Sequence, residues 1–122
     1  MSEEDLDFEI SFYEELIRDK PDFVDVLVAL GNAYTRKGLF AKGLEVDLKL
    51  VGLRPDDAVA RYNLACDYSL LKMTDECLRS LEEALRLGYR DFAHMESDPD
   101  LEHARQDPRY RDLIAAHRAG GS

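Results

Sequence analysis

Leu30-Gly31-Asn32-Ala33-Tyr34 and Leu64-Ala65-Cys66-Asp67-Tyr68 lie 34 residues apart, and laying one on the other decides how this chain folds. Leucine falls on leucine, tyrosine on tyrosine, and small Gly31 on small Ala65. The same shift lays Leu44 on Leu78, Leu53 on Leu87 and Gly43 on Cys77. A fixed period of this length marks a repeat whose unit is one supersecondary element. The matches fall where a helical hairpin must bury leucine or bring two backbones close, so a few identities carry the argument.

Each unit reads as two helices. Asp22 follows Pro21 and can cap the first, with Asp25 three residues on as a capping-box acid. Leu27, Leu30 and Tyr34 then recur at helical spacing on one face, and Gly38 supplies the turn. The second helix carries Phe40, Leu44, Leu48 or Val51, and Leu53 before Pro55 closes the unit. Asp56 or Asp57 recaps the next unit. Its helices hold Tyr62, Leu64, Ala65 and Tyr68, then Leu78, Leu81, Ala84, Leu85 and Leu87, with Thr74 as a cap between them.

Outward from this pair, Leu6, Ile10, Tyr13, Leu16 and Ile17 fit the second helix of a preceding unit whose first helix is missing. Glu9 stands where Gly43 and Cys77 provide close packing, a place that tolerates charge only if no helix precedes it. The segment 6–20 is therefore expected to be a cap packed forward on the first full repeat. Downstream, Asp98-Pro99 and Asp107-Pro108 each pair a cap residue with a proline in the first helical turn. They predict a short turn at Asp91 to Met95, a short helix from Pro99 and a last helix from Pro108 to about His117. Phe92, Leu101, Tyr110, Leu113 and Ile114 form the expected buried side.

On these residues the chain resembles the tetratricopeptide repeat family. The likeness rests on Leu30-Gly31-Asn32-Ala33-Tyr34, Gly38, Phe40, Leu44 and Pro55 in one unit, and on Tyr62-Asn63-Leu64-Ala65, Tyr68, Leu78 and Ala84 in the other. Gly43 stands for the usual alanine, Lys72 for the turn glycine and Gly88-Tyr89 for the closing proline, departures that touch turn quality and not the fold. The tail resembles a degenerate closing repeat of bacterial members. The resemblance implies an all-α, right-handed helical-hairpin solenoid of about seven to eight helices, counting short C-terminal ones. It is read as a single domain, 1–122, with a capping helix at 6–20, repeats at 24–57 and 58–91, a degenerate repeat at 92–118 and a frayed tail at 119–122.

Composition agrees with a globular helical protein: 45% apolar and 34% charged residues, no Trp and four Pro. The net charge of −10 argues against nucleic acid or an anionic membrane as the main partner, since the long-range field repels both. No apolar run reaches the roughly 20 residues of a membrane span, and Met1 to Asp7 is acidic, unlike a secretory signal. A cytoplasmic location is expected, with Cys66 and Cys77 as buried or semi-buried free thiols.

Candidate chemistry is thin. His94, Glu96, Asp98, Asp100, Glu102 and His103 cluster in sequence but match neither a calcium loop nor an HExxH arrangement, and read as solvated charges and helix caps. Histidines occur only at 94, 103 and 117, and no glycine-rich phosphate loop is present, so neither an enzyme nor a cofactor is expected. The concave side of a solenoid, lined by the first helix of each unit, is the expected binding surface. Its residues are Val28, Asn32 and Arg36 in one unit and Val59, Tyr62, Asn63, Cys66 and Leu70 in the other. The asparagine amides suit the main chain of an extended peptide, and the apolar members suit its side chains. Family members that bind acidic C-terminal tails combine such asparagines with basic residues. Here Val28, Ala93 and Ser97 stand at those places, so the guest implied is a short, neutral to mildly basic protein segment. Self-association into a homo-oligomer is the first alternative, and a thiol- or metal-centred regulatory or catalytic role at Cys66 or the His94 to His103 stretch is the second.

Overall fold

The computed structural model describes residues 2–120, which are predominantly helical and contain no strand. In order they form α1 (Glu3–Asp19), α2 (Val24–Lys37), α3 (Phe40–Leu53), α4 (Ala58–Leu70), α5 (Thr74–Arg86), α6 (Phe92–Ser97), a 3-10 turn (Pro99–Leu101), α7 (Glu102–Arg105) and α8 (Pro108–Gly120). They group into two compact units, 1–55 and 56–122.

In the first unit α2 packs on both α1 and α3. Leu6 and Ile10 of α1 meet Leu30, Ala33 and Tyr34 of α2, with Tyr13, Ile17 and Val46 closing the cluster. This is the forward packing expected of the N-terminal segment. Polar contacts along the seam fix its register: Arg36 pairs with Glu9 at 2.8 Å, and Lys37 reaches Glu3 at 2.6 Å and Asp7 at 2.8 Å. Glu9 is thus accommodated at the close-packing position by a cation from α2. The Tyr34 hydroxyl also donates to Glu14.

The turn between α2 and α3 depends on Gly38, whose φ of +85° lies in the left-handed region. The Leu39 amide returns to the Tyr34 carbonyl at 2.8 Å, closing the helix end. In the second unit Lys72 takes the same role with φ of +62°, an uncommon conformation for a residue with a Cβ. Because a single left-handed residue turns the chain, the next helix begins almost at once. Thr74 is consequently already the first residue of α5, and Met73 precedes it without a side-chain cap bond. Asp22 is not a cap either: Phe23 occupies that position, again without a side-chain bond. Asp57 does cap α4, accepting from the Val59 and Ala60 amides at 2.9 and 3.1 Å.

On α3 the alternative between Leu48 and Val51 resolves to Val51, and the expected burial of Leu53 is corrected. Leu50 and Val51 are buried, while Leu48 and Leu53 are exposed. Leu50 and Val51 lie on the same side of the helix as Gly43 and Asp47, which are also buried; Leu48 and Leu53 fall off it.

The second unit has the larger core. Ala65 and Cys66 of α4 pack with Cys77, Leu81, Ala84 and Leu85 of α5 and with Met95, Leu101, Ala104, Tyr110 and Ile114 downstream. The expected turn at Asp91 to Met95 is a true helix, α6, whose first amides are met by the Asp91 carboxylate accepting from His94 N at 3.1 Å. Both Asp-Pro pairs act as read. Asp98 accepts from Asp100 N at 3.0 Å, and Asp107 from Arg109 N at 2.9 Å. The final helix runs on past His117 through Ala119 and Gly120. Gly121 and Ser122, the end of the expected frayed tail, lie outside the described residues.

Candidate functional site

The residues expected to line a groove divide sharply. On α2, Val28 and Asn32 are exposed, as is Arg36, whose guanidinium is engaged with Glu9. Spaced by four, they run along one helix face. On α4, Val59 is exposed and Asn63 and Leu70 are half-buried, but Tyr62 and Cys66 are only 3% and 7% exposed. Tyr62 and Cys66 are therefore not part of an open groove. The chain's own downstream segment, the 3-10 turn and α7, packs over this side of α4.

Asp98 is the centre of that packing. It sits at the end of α6, is itself buried, and its Oδ2 accepts from the Tyr62 hydroxyl at 2.6 Å. The same oxygen lies 3.1 Å from His94 Nε2 and 3.7 Å from the Cys66 thiol, which donates to it. Tyr62 is stacked flat on Tyr89, with ring centroids 4.3 Å apart, and tilts toward His94 at 5.7 Å. Farther along, Ser69 Oγ accepts from the Ala104 amide at 3.3 Å. Tyr110 and Arg105 both donate to the Met95 carbonyl, at 2.9 and 2.8 Å. A buried carboxylate is held here by several donors, the condition under which such burial is tolerated.

Burial sets the acid–base behaviour of this cluster. Desolvation, then the nearby Asp98 and Asp100 charges, push the Cys66 thiol far above its ordinary range. Desolvation, reinforced by Cys66 and by the bond to Asp98, raises the Tyr62 phenol. Asp100 is raised as well, by desolvation and then by Asp98. Cys77, buried among apolar side chains, is pushed up to about 12. Both cysteines are free. A thiol kept protonated is a weak nucleophile and a poor metal ligand. The Cys66 sulfur and one oxygen each of Asp98 and Asp100 do gather within 4.8 Å of one another. Both Asp98 oxygens are already engaged, Oδ2 by Tyr62 and His94 and Oδ1 by the Asp100 amide, so the arrangement is a hydrogen-bonded lock between helices.

Asp98 was legible in the sequence as a cap but not as the centre of a network. The available signals were the i,i+4 pairs Tyr62/Cys66 and His94/Asp98, which place two donors on one helix face and a histidine beside the carboxylate.

A separate depression in the second unit, about 490 Å³, lies along α8. Tyr110, Ile114 and Ala115 line it, with Arg105, Arg111 and Arg118 around them; Glu96 also borders it.

No protein-family model matches the chain. Over 87 residues it is 38% identical to a chloroplastic protein of Arabidopsis thaliana, a match covering 69% of this chain and 26% of that protein. The chain thus spans about a quarter of the length of this curated relative. The relative is a chloroplast protein of a plant, so the expected bacterial source and cytoplasmic location take no support from it. Among the described residues no helix is long and apolar enough to cross a membrane.

Proposed function

We propose that this chain is a tetratricopeptide-type module, a short right-handed solenoid, that binds a short segment of another protein on the exposed face of α2. One observation carries the reading. One repeat period after Val28, Asn32 and Arg36 stand Tyr62, Cys66 and Leu70. On α4, two of these three are covered by a short segment of the chain itself, anchored through Asp98. The equivalent face of α2 offers Val28 and Asn32 to solvent. A face that takes up a chain segment in one repeat is free to do so in the other.

The chemistry of the strip suits a peptide. Val28 gives apolar contact, and the Asn32 amide can both donate to and accept from a backbone. The acidic field of a chain with net charge −10 favours a neutral to mildly basic guest. Val59 and Asn63 offer the same chemistry on α4. In this reading Cys66, buried and donating to Asp98, is a structural thiol.

The test is affinity capture from native lysate with wild type and an Asn32→Ala, Val28→Asp double variant. Both side chains are exposed, so the fold is expected to survive, checked by circular dichroism. Loss of the captured proteins supports the α2 strip. An unchanged set of captured proteins overturns it.

A further inference from the structure

The outer face of α1 and the depression along α8 are chemical complements. On α1, Leu6, Ile10, Tyr13 and Ile17 face inward. The opposite side carries Phe8 and Phe12, 76% and 51% exposed and one turn apart. Two large aromatic side chains left in water on one helix face mark a contact surface. At about 100° per residue, Glu4, Asp5, Glu15 and Asp19 fall around the same face. All four are exposed, and among the described residues none forms an ion pair, whereas Glu3, Asp7 and Glu9, which lie off this face, are engaged by Lys37 and Arg36. The surface is therefore an aromatic pair ringed by carboxylates.

The depression in the second unit has the opposite polarity. Tyr110, Ile114 and Ala115 give it an apolar lining, and three cations, Arg105, Arg111 and Arg118, outnumber its one carboxylate, Glu96. Arg105 is partly committed to the Met95 carbonyl and Arg118 lies over the Phe92 ring at 4.8 Å, so both guanidiniums are held in place beside the depression. An apolar cavity on the order of 150 Å³ takes up one benzene ring. About 490 Å³ therefore has room for both phenyl groups.

We propose that the chain self-associates head to tail, with Phe8 and Phe12 of one copy seated in the α8 depression of another and the α1 carboxylates facing its arginines. The contact joins two different surfaces, so it needs no two-fold axis and each copy retains one free surface of each kind. It is independent of the α2 strip. Apolar burial supplies affinity, and the opposed charges set the partner and the docking rate.

Sedimentation of the full chain over a range of concentrations tests this. Wild type is expected to associate, more weakly at high than at low salt because the rim charges are solvent-exposed. Phe8→Ala with Phe12→Ala is expected to weaken association at least about 100-fold, from the burial of two aromatic side chains. Arg111→Glu with Arg118→Glu is expected to weaken it too. Mixing these two variants, each monomeric alone, should give a heterodimer, since one intact surface of each kind remains. The further pair Glu15→Arg, Asp19→Arg should associate with the arginine-reversed chain. A monomeric wild type, association that survives the phenylalanine changes, or variants that fail to complement each other would overturn the proposal. Unchanged helical signal, and an unchanged melting temperature at concentrations where wild type is monomeric, confirm that the exposed substitutions leave the fold intact.

Discussion

Tyr62→Phe isolates the bond that ties the downstream segment to α4. Phenylalanine keeps the ring, its burial and its stack on Tyr89, so the change removes one O–H donor from a buried carboxylate oxygen. Hydrogen bonds to charged groups contribute about 1.5–3 kcal/mol. His94 Nε2 and the Cys66 thiol still face the Asp98 oxygen, which moderates the loss, so about 2 kcal/mol of destabilisation is expected. For a chain of this size that lowers the melting temperature by roughly 6–12 °C. Urea titration followed by far-ultraviolet circular dichroism gives the free energy directly, and an unchanged denaturant slope shows that the same surface is exposed on unfolding. Hydrogen exchange adds location: amides from α6 through α7 should lose protection before those of α2 and α3. Asp98→Asn, alone and combined with Tyr62→Phe, completes a cycle in which the two changes should be strongly non-additive. A loss below about 0.5 kcal/mol, or additive effects, would refute the claim that this bond holds the segment down.

Two further outcomes rest on the turn at Lys72 and on the buried thiols. Lys72→Gly should stabilise the chain by up to about 1 kcal/mol, read from the urea midpoint, because it relieves a left-handed residue at φ +62° at the cost of some unfolded-state entropy; destabilisation would show that the lysine side chain contributes more than the strain it causes. Stability should also fall with rising pH. Unfolded thiols titrate near 9.0 while Cys77 is held to about 12 and Cys66 higher still. Groups raised in the folded state contribute stability that is complete below their unfolded value and lost above it. Just above about pH 9 the unfolded chain therefore releases two thiol protons that the folded chain keeps, a slope approaching about −2.7 kcal/mol per pH unit. Above about pH 10 the raised phenols of Tyr34, Tyr62 and Tyr110 steepen it further. Urea midpoints under reducing conditions at about pH 8, 9.5 and 10.5 measure it, and a flat profile would contradict the burial of both thiols.

The 34-residue period, read with the small residues Gly31, Gly43, Ala65 and Cys77, determined by itself that residues 24–37, 40–53, 58–70 and 74–86 pair as helices. Local rules sufficed there, because each helix buries one apolar stripe against a neighbour close in sequence. They also sufficed for Gly38, Asp57, Asp98 and Asp107, whose roles depend on backbone geometry within four residues. They failed at Asp22 and Thr74, where the length of the turn, not the residue type, fixes the helix start. The fate of the α4 face was decided by tertiary structure alone. Tyr62 and Cys66 are as suited to a guest peptide as to a core, and only the arrival of Asp98, 36 residues beyond Tyr62, selects the core. No local pattern encodes a contact at that separation. The exposure of Phe8 and Phe12, by contrast, follows from the periodicity of α1, whose stripe of Leu6, Ile10, Tyr13 and Ile17 leaves them on the opposite face.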